Sequence, residues 1–338
     1  MDIARSRAIA VVAAIFAIGA AAVAGGAPAE ASTSGGGGVI AYSVKTGVYS
    51  IHADGTGMRL LVPWRPSACG HSCVVWKVPR NPRYSADGRH LTYDMETYVV
   101  RHGVGGGAQP NTREVYVADA DGQHRRALGA GHHPEFSSDG KEVIYLLNPN
   151  AYAPLPLLEE PPKYGDDYGP MEAVNVSTGV RRSLTVPGAS EFSADGQEML
   201  SYRQVRSHGA ITWADTLENI NGSELHDYLL PTFYGELPRF TATGELSYDC
   251  PSIGNKQPDI CLFDPKTERS HRLVHIREFW ALEAASSPDR ARFAISGLQG
   301  MYVTDAHGGH ARRIILNGNG PNYVQSDVPT SPIWQPGT

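Results

Sequence analysis

The chain has 338 residues, 41% of them hydrophobic and 19% charged, with a formal net charge of −6. That length allows one large domain or two small ones with ample core. The mildly acidic balance gives no general attraction to nucleic acid or anionic lipid, so neither is a favoured partner. With 37 Gly and 24 Pro, the composition suits a fold with many turns better than a helical bundle.

In chain order, the first element is a leader. Arg5 and Arg7 form a short basic region, and residues 8–24, "AIAVVAAIFAIGAAAVA", are apolar. Ala29-x-Ala31 follows as a small-x-small site. This is the layout of a secretory signal peptide over residues 1–31, with cleavage before Ser32. The competing reading is an uncleaved anchor, but a run of about 17 Ala-rich residues is at the short limit for a span. No Cys stands at the cleavage site, so a lipoprotein anchor is not supported. Residues 32–38, "STSGGGG", read as a flexible leader. The expectation is a secreted protein, extracellular or of the periplasm or cell envelope, with no membrane span once the leader is removed.

Export makes disulfides possible. Four Cys allow three full pairings. Cys69 and Cys73 are four apart in "SACGHSC", and Cys250 and Cys261 flank "PSIGNKQPDI". Each pair is local, so Cys69–Cys73 and Cys250–Cys261 are the expected bridges. His71 between the first two thiols keeps a metal reading open there, but a zinc site needs four ligands and no second Cys/His pair has ligand spacing.

From residue 39 onward the chain repeats. The copies are "PRYSADGRHLTYD" at 82, "PEFSSDGKEVIYL" at 134, "SEFSADGQEMLSY" at 190 and "PRFTATGELSYDC" at 238. A weaker copy, "AASSPDRARFAIS", begins at 284, and "PIWQPGT" from 332 is truncated. Asp87, Asp139, Asp195, Thr243, Asp289 and Gly337 are equivalent, spaced by 52, 56, 48, 46 and 48 residues. After each Asp-Gly turn come an alternating strand, a connection of varied length, and a second strand such as "EVYVADADG". A short last strand with basic residues closes the unit: "HRRAL", "VRRSL", "SHRLV" or "ARRII". A period near 50 with four antiparallel strands per unit is a propeller signature.

The termini set the topology. Residues 39–62 hold three strands but no first strand, and "PIWQP" is a first strand with nothing after it. Together they complete one blade and hide the edges of an open array. The expected fold is all-β: one six-bladed propeller over residues 39–338, its ring closed by the C-terminal strand joining the N-terminal blade. Losing the last eight residues should open it.

The aromatic-Ser-x-Asp-Gly turn, "(I/V)Y(V/A)xDxxG" and "RRL" resemble the WD40-like repeat of TolB-type six-bladed β-propellers. Residues 84–128, "YSADGRHLTYD…EVYVADADGQHRRAL", match best. The pattern weakens in blade four, where "WADTLENINGSELHDYLL" reads as a poor second strand, and in blade six, where Arg290 replaces the turn Gly. The N-terminal α/β domain of TolB has no counterpart, because the leader is too short to hold it. The resemblance implies a platform for interactions in the cell envelope.

No catalytic set with convincing spacing appears: no HExxH, no G-x-S-x-G, no Walker loop. "GVGGGA" at 103–108 lacks the Lys and following helix of a phosphate cradle. "DADG" at 119–122 lacks the downstream acidic ligand of a calcium loop and reads as a hairpin turn. No cofactor or metal is expected.

Two groups of residues stand out from the repeat. The residue before each first-strand aromatic is Arg83, Glu135, Glu191 and Arg239 in blades two to five, then Ala285 and Ile333. The alternation of sign predicts inter-blade ion pairs beside the central channel, with 83 facing 135 and 191 facing 239. The second group lies in three long connections. Residues 63–81 carry Trp64 and Trp76, residues 94–113 carry Tyr98, and residues 147–170 carry Tyr152, Tyr164, Asp166, Asp167 and Tyr168. Long connections in a compact fold usually mean function or disorder, and aromatics among prolines suit a protein or glycan surface.

The expected function is a non-catalytic binding or scaffold propeller. Its partner would be a protein of the cell envelope or an extracellular glycan, and the propeller itself a monomer. The alternative is a propeller enzyme, such as a polysaccharide lyase or hydrolase, with its site at the channel mouth.

Overall fold

A computed structural model of the chain describes residues 38–69, 73–101, 112–147, 170–187, 191–193, 198–207, 210–219, 225–230, 238–251, 258–276, 281–316 and 329–337. These form six antiparallel sheets. Blade 1 is composite: β25 (Thr330–Trp334) pairs with β1 (Val39–Val44), which is followed by β2 (Gly47–His52) and β3 (Arg59–Pro63). Blade 2 holds β4 (Arg65–Ala68), β5 (Cys73–Tyr84), β6 (His90–Arg101), β7 (Thr112–Asp119) and β8 (Arg126–Ala130). Blade 3 is β9 (His132–Phe136), β10 (Glu142–Leu146), β11 (Pro170–Asn175) and β12 (Arg181–Pro187). Blade 4 is β13 (Glu191–Phe192), β14 (Glu198–Ser207), β15 (Ala210–Asn219) and β16 (Leu225–Tyr228). Blade 5 is β17 (Arg239–Phe240), β18 (Leu246–Cys250), β19 (Asp259–Asp264) and β20 (Arg269–Val274). Blade 6 is β21 (Ala281–Ser286), β22 (Arg292–Gly297), β23 (Gly300–Asp305) and β24 (Arg312–Leu316).

The inner strands touch in the order β25, β5, β9, β13, β17, β21 and back to β25, so the ring is closed. The middle strands are buried on both sides because blades stack face to face. There are six hydrophobic clusters among the described residues, one at each boundary between blades. At the first, Ala41, Val48, Leu61 and Val62 of blade 1 meet Tyr84, Leu91, Tyr93 and Ala118 of blade 2. The alternation within a strand sorts neighbours: Ala41 faces blade 2, whereas Ile40 and Tyr42 face blade 6.

Closure rests on the last strand. Trp334 is 2% exposed in the boundary with blade 6. Its indole N–H donates to the Ala285 carbonyl at 2.9 Å, and the Arg292 guanidinium lies 5.2 Å from the ring centre. The Gln335 amide donates to the Val39 carbonyl at 2.7 Å, and its side chain donates to the Gly88 carbonyl at 2.8 Å. The C-terminal segment therefore ties blades 6, 1 and 2 together.

Three details differ from the sequence reading. Blade 2 has five strands, not four, because β4 pairs with the first half of β5. The stretches 63–81 and 94–101, read as irregular connections, are mostly β4, β5 and β6; their Val, Trp, Thr and Tyr residues are strand formers. The poor second strand of blade 4 is instead β15, paired with β14 from Glu198↔Asn219 to Ser207↔Ala210. Both expected disulfides form, Cys69–Cys73 with Cα atoms 5.2 Å apart and Cys250–Cys261 with 5.7 Å. No helix long and apolar enough to cross a membrane occurs among the described residues.

Candidate functional site at the channel mouth

The repeating parts of the sequence are accounted for by the scaffold. In blade 2 the Ser85 hydroxyl donates to Asp87 at 2.6 Å and accepts the His90 amide at 2.9 Å, while Asp87 accepts the Arg89 amide at 3.0 Å. Ser137, Asp139, Lys141 and Glu142 repeat this in blade 3, and Ser287, Asp289, Ala291 and Arg292 in blade 6. These donors hold the turn carboxylates below their usual range, Asp139 at about 2. The basic last strands reach across to a neighbouring blade, Arg125 and Arg181 to the preceding one and Arg312 on to blade 1. Arg125 donates to the Leu61 carbonyl at 2.8 Å, Arg312 to the Ala53 and Asp54 carbonyls at 2.7 and 2.8 Å, and Arg181 to the Leu128 carbonyl.

The inner strands carry what does not repeat. In blades 1, 2 and 3 the dipeptides Ser331-Pro332, Asn81-Pro82 and His133-Pro134 face one residue of the second strand. Each is a β-bulge, a place where Pro removes no ladder bond. The residue before Pro takes the left-handed conformation, with φ of 52°, 49° and 51°. The bulges set polar side chains at one level of the ring. The Ser331 hydroxyl donates to Asn81 Oδ1 at 3.0 Å, and Asn81 Nδ2 donates to Asp94 at 2.8 Å. Glu283 of blade 6 accepts the Ser331 amide and pairs with Arg239 of blade 5 at 3.3 Å.

The four channel charges anticipated from sequence lie beside this level. Arg83 forms an ion pair with Glu135; their side chains are 7% and 14% exposed. Glu191 accepts the Phe240 amide at 3.1 Å, and Arg239 reaches Glu283 and the Ser331 hydroxyl. These contacts cross five of the six blade boundaries. At the sixth, between blades 3 and 4, Glu135 and Glu191 meet as like charges. Burial, with that repulsion added and the pull of Arg239 and Arg83 opposing, pushes the Glu191 carboxyl up to about 7. Burial also raises Glu135, despite Arg83. Glu283 and Ser331 are absent from the sequence reading because alignment on the aromatic placed Ala285 and Ile333 in their stead. Pro82, Pro134 and Pro332 were the available signal for the bulges of blades 2, 3 and 1 that bring the upstream residue in.

Further along the inner strands is a second polar group. Glu96 lies between Arg113 at 3.1 Å and Arg80 at 3.6 Å, and it accepts the Tyr98 hydroxyl at 2.6 Å. Beside it Asp94 is fully buried; burial first and Glu96 second push its carboxyl up to about 6. His132, 3% exposed, is pushed down to about 3 by burial and then by Arg113. One oxygen of Asp94 and Nδ1 of His132 are buried without a hydrogen-bond partner among the described residues. No three His, Cys, Asp or Glu side chains are grouped for a metal ion among the described residues.

Above this group β5 and β6 continue past the blade, pairing from Lys77↔Thr97 to Cys73↔Arg101. Since β5 is the strand beside the axis, β4 on its other edge lies on the axial side. The Cys69–Cys73 bridge closes the β4–β5 turn. Pro66, Trp76 and Tyr98 stand in register across the three strands and share a face. Trp64 meets Trp76 edge to face at 6.4 Å, Lys45 lies 5.4 Å from the Trp76 ring, and the Trp64 amide donates to the Thr46 carbonyl at 3.1 Å. Two of the sequence-selected aromatics thus brace the extension against the β1–β2 turn, and the third is held by Glu96. Tyr152, Tyr164, Asp166, Asp167 and Tyr168 lie outside the described residues.

In fold, the chain is similar to several solved structures. A chain of the nidogen/laminin complex is 8% identical, with 88% of this chain and 98% of that one covered and a TM-score of 0.52. Hydrazine synthase from Kuenenia stuttgartiensis is 10% identical, with 89% and 47% covered and a TM-score of 0.53. The putative TolB from Agrobacterium tumefaciens is 13% identical, with 89% and 100% covered and a TM-score of 0.49. At such identities the likeness is one of fold. No family model and no curated protein matches the chain.

Proposed function

We propose that this chain is an exported, non-catalytic binding propeller whose partner docks on the face bearing the β4–β5–β6 extension. The observation that carries this reading is the extension itself. No other blade has a disulfide-closed strand added inside its axial strand among the described residues. The polar groups beneath it are bonded mainly to each other across blade boundaries, which suits a rigid platform. The two disulfides fit an oxidising compartment. The partner in this reading is a protein of the cell envelope, and Trp64, Trp76 and Tyr98 hold the docking surface in shape.

A second reading, an enzyme with its site at the channel mouth, is favoured by Asp94 and Glu191, two carboxyls raised into the range useful for acid–base chemistry. The test is partner capture from envelope or secreted extract. The intact protein is compared with one whose loop 150–168 is shortened and with one lacking residues 65–77. Capture lost with the extension supports the platform. Equal recovery from all three refutes both the loop and the extension as the docking site.

A further inference from the structure

The outer side of the extension differs in chemistry from its aromatic side. Arg65 of β4 and Lys77 of β5 are direct cross-strand partners, and both are exposed. The Cys69 amide donates to the Cys73 carbonyl at 3.2 Å. Counting back by twos makes Arg65 and Lys77 a hydrogen-bonded pair with both side chains on one face. Like charges set directly opposite destabilise a strand pair. Neither side chain has an ion-pair partner among the described residues.

The local sequence offers no relief. From residue 55 to 86 there is no Asp or Glu, although the chain as a whole carries a net charge of −6. Arg80 and Arg83 of this stretch are committed to Glu96 and Glu135. On β7 of the same face, Glu114 is held by the Tyr116 hydroxyl at 2.6 Å. Thr97 stands beside Lys77, and Val75 beside Val99, which is 37% exposed. The face is therefore basic with an aliphatic border, and Trp76 and Tyr98 point to the other side.

We infer that the Arg65–Lys77 face of the extension is a docking surface for an acidic polypeptide segment with aliphatic residues beside its carboxylates. This rests on the binding-propeller reading and adds the chemistry of the partner. Charge complementarity selects an acidic partner, because an anion between the two cations turns a repulsion into two attractions. The tyrosines of this face, Tyr93 and Tyr116, stack on each other with ring centres 5.5 Å apart and Tyr93 is buried, so the apolar groups left beside the two cations are Val75 and Val99, which suit a polypeptide better than a glycan. Docking is by side chains and not by strand addition. The outward-facing backbone positions of β4 are Pro66 and Ala68, and Pro66 has no N–H to offer.

The test uses the whole chain and a fluorescent peptide alternating Glu with Val, followed by anisotropy at low and high salt. Binding is expected to weaken at least tenfold in R65E/K77E and to fall as salt rises. The milder R65Q/K77Q should give a smaller loss in the same direction, and matching thermal melts confirm that both variants fold. Equal affinity in wild type and variants, or no binding at millimolar peptide, overturns the proposal. Tighter binding of polygalacturonate than of the peptide overturns the polypeptide assignment. In the capture experiment, a partner recovered equally by wild type and R65E/K77E defeats this inference and leaves the binding propeller standing. No partner recovered by wild type defeats the broader reading instead.

Discussion

The two ends of the propeller are built on different rules. At one end the Ser-x-Asp turns recur with nearly the same distances in blades 2, 3 and 6, with Arg290 in the Gly slot of blade 6, and an arginine of each of these blades reaches a carbonyl of a neighbouring blade. At the other end the bulges of blades 1, 2 and 3 carry a different side chain in each, and among the described residues blade 2 alone gains a fifth strand, β4. Recurrence marks groups whose partners are backbone atoms, which every blade supplies. Variation marks groups whose partners are other side chains or lie outside the chain. On the binding-propeller reading, the turn end serves the scaffold and the mouth carries the side chains that would set specificity.

The largest way to break that division is at the closure. Ending the chain at Pro329 removes β25, the only inner strand of blade 1, and uncovers the clusters at both of its boundaries. The expected result is loss of a cooperative thermal transition, read by circular dichroism. A cooperative melt within a few degrees of wild type would show that closure is dispensable. Trp334→Ala is the graded version: removing a buried Trp costs roughly 3–5 kcal/mol, measurable by denaturant titration.

Next in size is the ion pair in the channel. Removing one partner of a buried pair leaves an uncompensated charge and costs roughly 3–5 kcal/mol, whereas replacing both with apolar residues costs far less. Arg83→Met and Glu135→Leu should each destabilise strongly, and the double variant should be more stable than either single one. A double-mutant cycle checks this. Additive losses would mean that the two side chains act separately and that the mouth is not a coupled unit.

A smaller effect comes from pH. Glu191 titrates near 4.5 when unfolded and at about 7 when folded. A carboxyl raised in this way stabilises the fold while both states are protonated, and stability then declines as pH rises from about 4.5 to 7. Asp94 acts in the same direction up to about 6. His132, lowered from 6.5 to about 3, acts oppositely and loses stability as pH falls through that window. With two carboxyls against this one imidazole, the wild type should lose stability from pH 4.5 to about 6 and level off between 6 and 6.5. Glu191→Gln, which can still accept the Phe240 amide, should gain on the wild type as pH rises from 4.5 to 8. A gap in melting temperature that is constant with pH would place Glu191 outside the coupled network.

The difference between the ends also explains what was legible in the sequence. The ring could be read because Asp87 and its equivalents repeat at regular spacing, and because residues 39–62 lacked a first strand that residues 332–336 supplied. The mouth was legible only in outline. Arg83 and Glu135 were found because they sit next to the repeating aromatic. Glu283 was missed because a bulge changes register without leaving a periodic trace. Arg65 and Lys77 were passed over for the aromatics nearby, since sequence alone did not show that β4 pairs with β5 and puts two cations face to face.

The smallest prediction tests the turn end where it departs from its own rule. Gly88, Gly140 and Gly244 hold φ between 68° and 84°, and Arg290 fills the same slot with φ of 59°. A side chain in the left-handed region costs roughly 1–2 kcal/mol, partly offset by the lower chain entropy of a non-Gly residue when unfolded. Arg290→Gly should therefore stabilise by up to about 1 kcal/mol. The reverse change differs by blade. A Cβ at Gly88 would lie 2.6 Å from the Pro336 carbonyl oxygen of the closing segment, whereas one at Gly244 meets nothing within 4 Å. Gly88→Ala should cost clearly more than Gly244→Ala, although both have the same backbone conformation. Equal costs in denaturant titration would mean that the turns feel only their own φ. A larger cost at Gly88 would show that the repeating end is also where the ring is locked.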